Sequence, residues 1–324
     1  MSQINQIKAP IKEEMKQFEG YFKRSMESKV PFLNLILNYI LRRKGKQMRP
    51  MFVFLTSKLL GEPNKSSFTA ASLIELLHTA TLIHDDVVDE SYKRRGYFSI
   101  NALWKSKVSI LIGDYLLSRG LLLAVQEKQY EMLEIVSEAV KSMSEGELLQ
   151  VKKSRKIFIT EEEYFEIIQK KTASLIASCT ACGARAVTEN KETVKAFHKF
   201  GETVGLAFQI KDDLLDYKNN GGIGKPTGND VKEKKVTLPL IYALENTDEQ
   251  TKKSIKKAFG KKGKTKKEVQ DIINFVIENK GIEQAKVKMY ELKEKALKMI
   301  LEYQGNPSFD SLNALVEFTV SRDK

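Results

Sequence analysis

Apolar residues recur three and four positions apart over long stretches of the chain, and no strand-turn-strand alternation interrupts them. The spacing predicts helices over residues 12–24, 31–44, 110–126, 130–151 and 197–217. Another opens at the capping box Thr160-Glu-Glu-Glu163 and runs past Cys182. Within 31–44, Phe32, Leu33, Ile36, Leu37, Ile40 and Leu41 form the side expected to be buried. Residues 247–324 read as Lys-rich packing helices with a break at Gly281. The fold class expected is all-α, with one domain over residues 1–324 because no boundary stands out.

The most apolar helical stretch, from Leu73 to Val88, carries exceptions that do not belong in a core: His78, Asp85, Asp86 and, just beyond, Asp89. Ser66 or Ser67 is the expected cap of this helix. Residues three, four and seven apart share a face, so His78, Asp85 and Asp89 line one side with Asp86 adjacent. Carboxylates this close repel unless a cation sits among them, and oxygen donors at this density suit hard Mg2+ rather than Zn2+. The same spacing returns at Asp212, Asp213 and Asp216, with Gln209 on the same face, inside another apolar helix. One such triplet is more often a solvated helical face. Two, each in an apolar helix, point to a pair of helices facing across a cleft, with metal ions between them that bind a diphosphate.

Basic residues fall where an anion would need them. Gly45-Lys46-Gln-Met-Arg49-Pro50 puts two cations in a turn before a helix that Pro50 is suited to start, and a helix N-terminus favours phosphate. Arg94 and Arg95 follow the first acidic triplet closely enough to clamp a diphosphate. Lys171 and Thr172 interrupt an apolar run, which on its own reads as a lysine snorkelling at a helix surface. Residues 219–230 form the most flexible stretch, and with Lys225, and Lys235 beyond it, the stretch reads as a lid that excludes water. It lacks the full phosphate-loop pattern, and no strand precedes it.

Composition excludes several functions. The chain has 324 residues and a net charge of +12, but Lys at 252–267 and 286–298 alternates with Glu at helical spacing, as on solvated faces. Nothing resembles a nucleic-acid module, so nucleic acid is not an expected partner. No apolar run is judged long enough to span a bilayer and residues 1–12 lack a signal-peptide core, which makes the cytoplasm the expected location. Membrane contact is expected to be peripheral at most, through a lipid product. Cys179 and Cys182 lack a second ligand pair for zinc, and their small neighbours suggest close helix packing instead.

In their order along nearly the whole chain, these motifs resemble the trans-isoprenyl diphosphate synthases, the polyprenyl synthetase family. The resemblance implies a helical bundle around a deep central cavity, usually a homodimer, that condenses isopentenyl diphosphate with an allylic diphosphate. It implies Mg2+ at Asp85, Asp89 and Asp212, supported by Asp86, Asp213 and Asp216, and phosphate contacts from Arg94, Lys171, Lys225 and Lys235. Isopentenyl diphosphate would meet Lys46, Arg49, His78 and Arg95. Thr172, Gln209 and Lys171 would flank the carbocation, and released diphosphate would take the proton.

Ala80 and Thr81, one turn before Asp85, would face the cavity; both are small where short-chain relatives often carry aromatic rings. That implies a long product, hexaprenyl to nonaprenyl with octaprenyl central, for a quinone side chain; a farnesyl or geranylgeranyl synthase is the alternative. Gln150, where short-chain relatives tend to have aspartate, points the same way. A terpene cyclase on this architecture would carry an Asn-Ser-Glu type second motif, and a non-catalytic partner subunit would lack aspartates; neither pattern is present.

Overall fold

Side chains that satisfy first-turn N–H groups set where the helices start. In the computed structural model, which describes residues 3–43, 45–94, 96–154, 158–217 and 228–322, helix Lys65–Val88 begins behind a reciprocal box. Asn64 Oδ1 accepts from Ser66 N at 2.8 Å, and Ser67 Oγ accepts from Asn64 N at 3.2 Å. The cap is therefore Asn64, with Ser67 returning the second half, rather than Ser66 or Ser67 itself. Thr160 and Glu163 form the expected box ahead of helix Glu161–Ile168, and Thr265 with Glu268 repeats it at Lys266–Glu278. Each cap contributes about 1 kcal/mol.

The fold is all-α as expected. Long helices span Lys12–Met26, Pro31–Leu41, Met48–Leu60, Ile100–Gln126, Tyr130–Ser154, Ser174–Arg185, Lys191–Asp216, Gly281–Lys298 and Pro307–Ser321. Among the described residues the sheet content is one hairpin, Lys93–Arg94 against Tyr97–Phe98.

Several local expectations fail. Helix Met48–Leu60 starts two residues before Pro50, behind Gln47 in a left-handed backbone conformation. Phe32 is 53% exposed, because Ile36 and Leu37 alone turn fully inward. The helix after Thr160 is not continuous: Gln169–Ala173 is one turn of π-helix, linking Glu161–Ile168 to Ser174–Arg185. Helix Ile100–Gln126 is broken at Lys105, which leaves helical geometry at φ 69°, yet it carries an 18-residue window of mean hydropathy 1.7 and by length and composition alone is long and apolar enough to cross a bilayer. Gly113-Asp114 and Ser118-Arg119-Gly120 interrupt the apolar run in sequence, but the helix continues through them.

The chain divides into two compact units, neither contiguous in sequence. One comprises Met1–Val140, Ser178–His198 and Tyr303–Leu315. Its core packs Met26, Ile36, Leu76, Ile83, Ile112 and Leu116 from four helices. Gly183 lets two of its helices touch: a Cβ there would lie 2.6 Å from the Val53 carbonyl oxygen. Cys179 and Cys182 are buried beside it, and burial pushes the Cys179 thiol up to about 12. These are packing thiols, as their small neighbours suggested. The other unit comprises Lys141–Ala177, Lys199–Glu302 and Val316–Lys324. Its core is built on Tyr164, Ile168, Ile210, Leu214, Leu238 and Ile241, with a second cluster around Phe259, Ile272 and Val276.

Candidate active-site residues

In the first unit, the acidic motif closes helix Lys65–Val88. Asp85 and Asp86 lie in its last turn and Asp89 is the C-cap, its N–H bonded to Asp85 O at 2.8 Å. That bond extends helical spacing to Asp89. Asp85 and Asp89 are exposed, whereas Asp86 is buried. Arg94 returns from the hairpin and places Nε and Nη2 each 2.8 Å from Asp86 Oδ1. One guanidinium thus balances the buried carboxylate.

Two turns earlier on the same helix His78 is buried. Glu75, a residue the sequence did not flag, receives Arg49 Nη1 at 3.4 Å and holds that guanidinium against the helix. Lys46 is exposed in the preceding turn. Thr81 is half-buried, its Oγ1 donating to His78 O at 2.9 Å. Ala80 is fully buried in the apolar cluster with Leu76 and Ile83. Arg95 and Lys225 lie outside the described residues.

In the second unit, helix Lys191–Asp216 carries the other motif, and its three aspartates have different surroundings. Asp213 is buried; Tyr164 Oη donates to its Oδ2 at 2.7 Å and Gln209 Nε2 to its Oδ1 at 2.9 Å. Burial pushes the Asp213 carboxyl up to about 6; Lys235 pulls against this and Asp230 adds to it. Asp216 accepts from the backbone N–H groups of Asn229 and Asp230, at 3.1 and 2.9 Å, and so anchors the short helix Asn229–Glu233. Asp212, more exposed, pairs with Arg322 from the end of the C-terminal helix.

Lys235 is committed to this cluster, 3.2 Å from Asp230 Oδ1. Burial works against its charge, but the carboxylates of Asp213 and Asp230 outweigh burial and hold the ammonium above its ordinary value. Asp230, Tyr164 and Arg322 were not anticipated. Asp230 lies inside the stretch that reads as a lid, where its carboxylate carries no signal of its own, and a tyrosine in an apolar run reads as core.

The π-turn accounts for Lys171 and Thr172. Thr172 Oγ1 donates to Gln209 Oε1 at 2.8 Å, so Thr172, Gln209 and Asp213 form one hydrogen-bonded chain. The amide is fixed at both ends, with its oxygen toward Thr172. Lys171 pairs with Glu147 and lies 3.3 Å from Gln150 Oε1. Two glycines admit the bulged turn: a Cβ on Gly146 would come 2.8 Å from Lys171 N, and one on Gly205 2.5 Å from Ala173 Cα. π-turns of this kind often serve functional sites.

The acidic donors suit a hard cation, since every one is a carboxylate oxygen. Among the described residues no three His, Cys, Asp or Glu side chains converge closely enough to hold an ion alone. Mg2+ accepts such a setting, because it takes one or two carboxylates and completes its shell with water and substrate phosphate.

Comparison with known proteins agrees with this chemistry. The family model described as polyprenyl synthetase matches residues 30–276. The octaprenyl diphosphate synthase of Escherichia coli is 32% identical over 325 residues, covering 100% of this chain and 99% of that protein. A decaprenyl diphosphate synthase structure from Rhodobacter capsulatus superposes with TM-score 0.92 at 30% identity, covering 99% of each chain. A polyprenyl synthase from Caulobacter crescentus, complexed with calcium and isoprenyl diphosphate, gives TM-score 0.90 at 30% identity, covering 99% of this chain and 98% of that one.

Proposed function

The chain belongs to the polyprenyl synthetase family, and from that premise we propose that it extends an allylic diphosphate with isopentenyl diphosphate, using Mg2+, to an all-trans octaprenyl-length diphosphate for a quinone side chain. The family makes it a prenyl-transferring enzyme that acts on isoprenyl diphosphates with a divalent ion. The observation that carries the condensation chemistry is the chain Thr172–Gln209–Asp213, which fixes an amide and a hydroxyl beside the second acidic motif.

Bound divalent ions neutralise a diphosphate and lower the barrier to its departure. In this reading Asp85 and Asp89 are ligands from the first motif and Asp212 from the second. Asp86, Asp213 and Asp216 support them through their bonds to Arg94, to Gln209 and Tyr164, and to the amides of Asn229 and Asp230. Arg94, Lys171, Lys225 and Lys235 supply positive charge for the allylic diphosphate; Lys46, Arg49, His78 and Arg95 bind isopentenyl diphosphate. Positive charge developing on the allylic carbon is stabilised by the oxygens of Thr172 and Gln209, held in place before the reaction. The isopentenyl double bond then attacks, and released diphosphate removes the proton.

Chain length is assigned to Thr81 in preference to Ala80, since Thr81 is half-buried while Ala80 is packed among Leu76 and Ile83. A homodimer is supported by helix Ile100–Gln126, whose Ile110, Leu111, Leu121, Leu122 and Val125, all beyond the break at Lys105, are each 45–58% exposed at spacings that repeat on one face. A second copy of the same helix would cover that stripe. Incubating the protein with farnesyl diphosphate, isopentenyl diphosphate and Mg2+ and weighing the lipid by mass spectrometry tests the activity. Octaprenyl diphosphate is expected; cyclised hydrocarbon made without isopentenyl diphosphate would refute it.

A further inference from the structure

The C-terminal helix, Pro307–Ser321, ends beside the second acidic motif within the same unit. Immediately after it, Arg322 is held from three sides. Its Nε donates to Thr319 O at 3.2 Å, its guanidinium lies 4.0 Å from the centre of the Phe208 ring, and its Nη2 pairs with Asp212 Oδ1. Phe208 stands four residues before Asp212 on one helix, so the ring forms a platform that aims the guanidinium at the carboxylate. The Arg322 side chain is only 12% exposed, against 40% for Asp212. A surface arginine would gain little by giving up so much solvent and rotamer freedom for one exposed partner. This one is built in.

The other two aspartates of the motif are occupied with protein donors, Asp213 with Tyr164 and Gln209 and Asp216 with two backbone amides. Asp212 is instead faced by a monovalent cation at the carboxylate assigned above to a divalent one. We propose that Arg322 is the residue that sets metal affinity at the second motif, standing in for the ion on Asp212 until a divalent cation displaces it. This rests on the reading of Asp212 as a metal ligand. A guanidinium left in place would repel the arriving ion as well as compete for the oxygen, so both effects weaken binding in the same direction. Metal would enter only when its charge outbids the pair, and the Arg322 guanidinium would be released from Asp212 as it does.

The test is equilibrium binding of Mn2+ to the full-length protein without substrate, read from the loss of the free-ion electron paramagnetic resonance signal. Four proteins are compared: wild type, Arg322→Gln, Asp212→Asn and the double variant. Arg322→Gln should bind Mn2+ about tenfold more tightly than wild type, the equivalent of about 1.4 kcal/mol. The gain should vanish when Asp212→Asn is also present. In the metal-free state Arg322→Gln should melt below wild type, and saturating Mn2+ should narrow that gap, which a merely structural arginine would not do. If Asp212→Asn weakens Mn2+ binding but Arg322→Gln leaves it unchanged or weaker, the role of Arg322 is overturned while the metal reading stands. If neither substitution changes Mn2+ binding, both are overturned.

Discussion

Gly205→Ala is the sharpest probe of the bulged turn. Gly205 stands one turn before Gln209 on helix Lys191–Asp216, and an added Cβ would lie 2.5 Å from Ala173 Cα and 2.8 Å from Ala173 Cβ. Carbon atoms rest at about 3.5–4.0 Å, so helix and turn must part by about 1 Å. The neighbour is backbone and cannot swing aside. The Thr172–Gln209 bond of 2.8 Å shares that face and would open past hydrogen-bonding range. Overpacking costs about 1–3 kcal/mol. The lost bond costs about 1 kcal/mol more, and the better helix propensity of alanine returns about 1 kcal/mol. The net loss is about 1–3 kcal/mol, seen as a fall of a few degrees in melting temperature at fixed protein concentration. A displacement of 1 Å at reacting groups costs about 100-fold in rate. Turnover, measured as labelled isopentenyl diphosphate entering the lipid fraction, should fall accordingly, with a smaller change in KM. Gly120→Ala is the control, since its Cβ would meet only the ends of Leu73 and Leu77 side chains, at 3.4 Å. Wild-type turnover together with wild-type melting in Gly205→Ala would refute the argument.

Asp85→Ala and Asp212→Ala should each lower turnover by about 100-fold or more with the helical circular dichroism signal intact, since each removes an assigned ligand; near-normal turnover in either removes that residue from the metal set. Thr81→Phe should shorten the product, read by mass spectrometry, whereas Ala80→Phe should mainly lower the melting temperature because Ala80 has no space around it; an unchanged product from Thr81→Phe moves the floor elsewhere. Asp213, buried, has its carboxyl raised from 3.8 to about 6, so the folded state binds that proton more tightly than the unfolded state. Its contribution is present below pH 4 and is lost as pH rises toward 6, by up to about 3 kcal/mol in metal-free protein; Asp213→Asn should flatten this part of the pH–stability curve, and an unchanged slope would count against the assignment. Leu111→Glu with Leu122→Glu should halve the mass seen by light scattering, and a wild-type mass would exclude the stripe as the dimer face.

Secondary structure was largely legible because helix period and capping are local properties. Thr160 and Glu163 cap where they were read to cap, and the all-α class follows from spacing alone. The errors fall where the deciding neighbour is distant in sequence. Nothing near Gln169 announces a π-turn; Gly146 and Gly205, far from it along the chain, provide its space. Phe32 sits in an apolar pattern but turns outward because Ile36 and Leu37 take the inner face of a short helix. Helix Ile100–Gln126 starts ten residues before Ile110, where the sequence places it, because the chain turns back into helix after Lys105 leaves helical geometry at φ 69°, a break that spacing alone reads as an end.

By itself the sequence determined the helical class, the family, and which carboxylates and cations are repeated at spacings that bind metal and diphosphate, since those depend on residue type and distance along the chain. Tertiary structure alone decided how three equally spaced aspartates came to differ: Asp213 buried against Tyr164, Asp216 holding backbone amides, Asp212 facing Arg322. A carboxylate's charge and availability depend on burial and on the groups brought against it, and those groups come from parts of the chain up to 110 residues away.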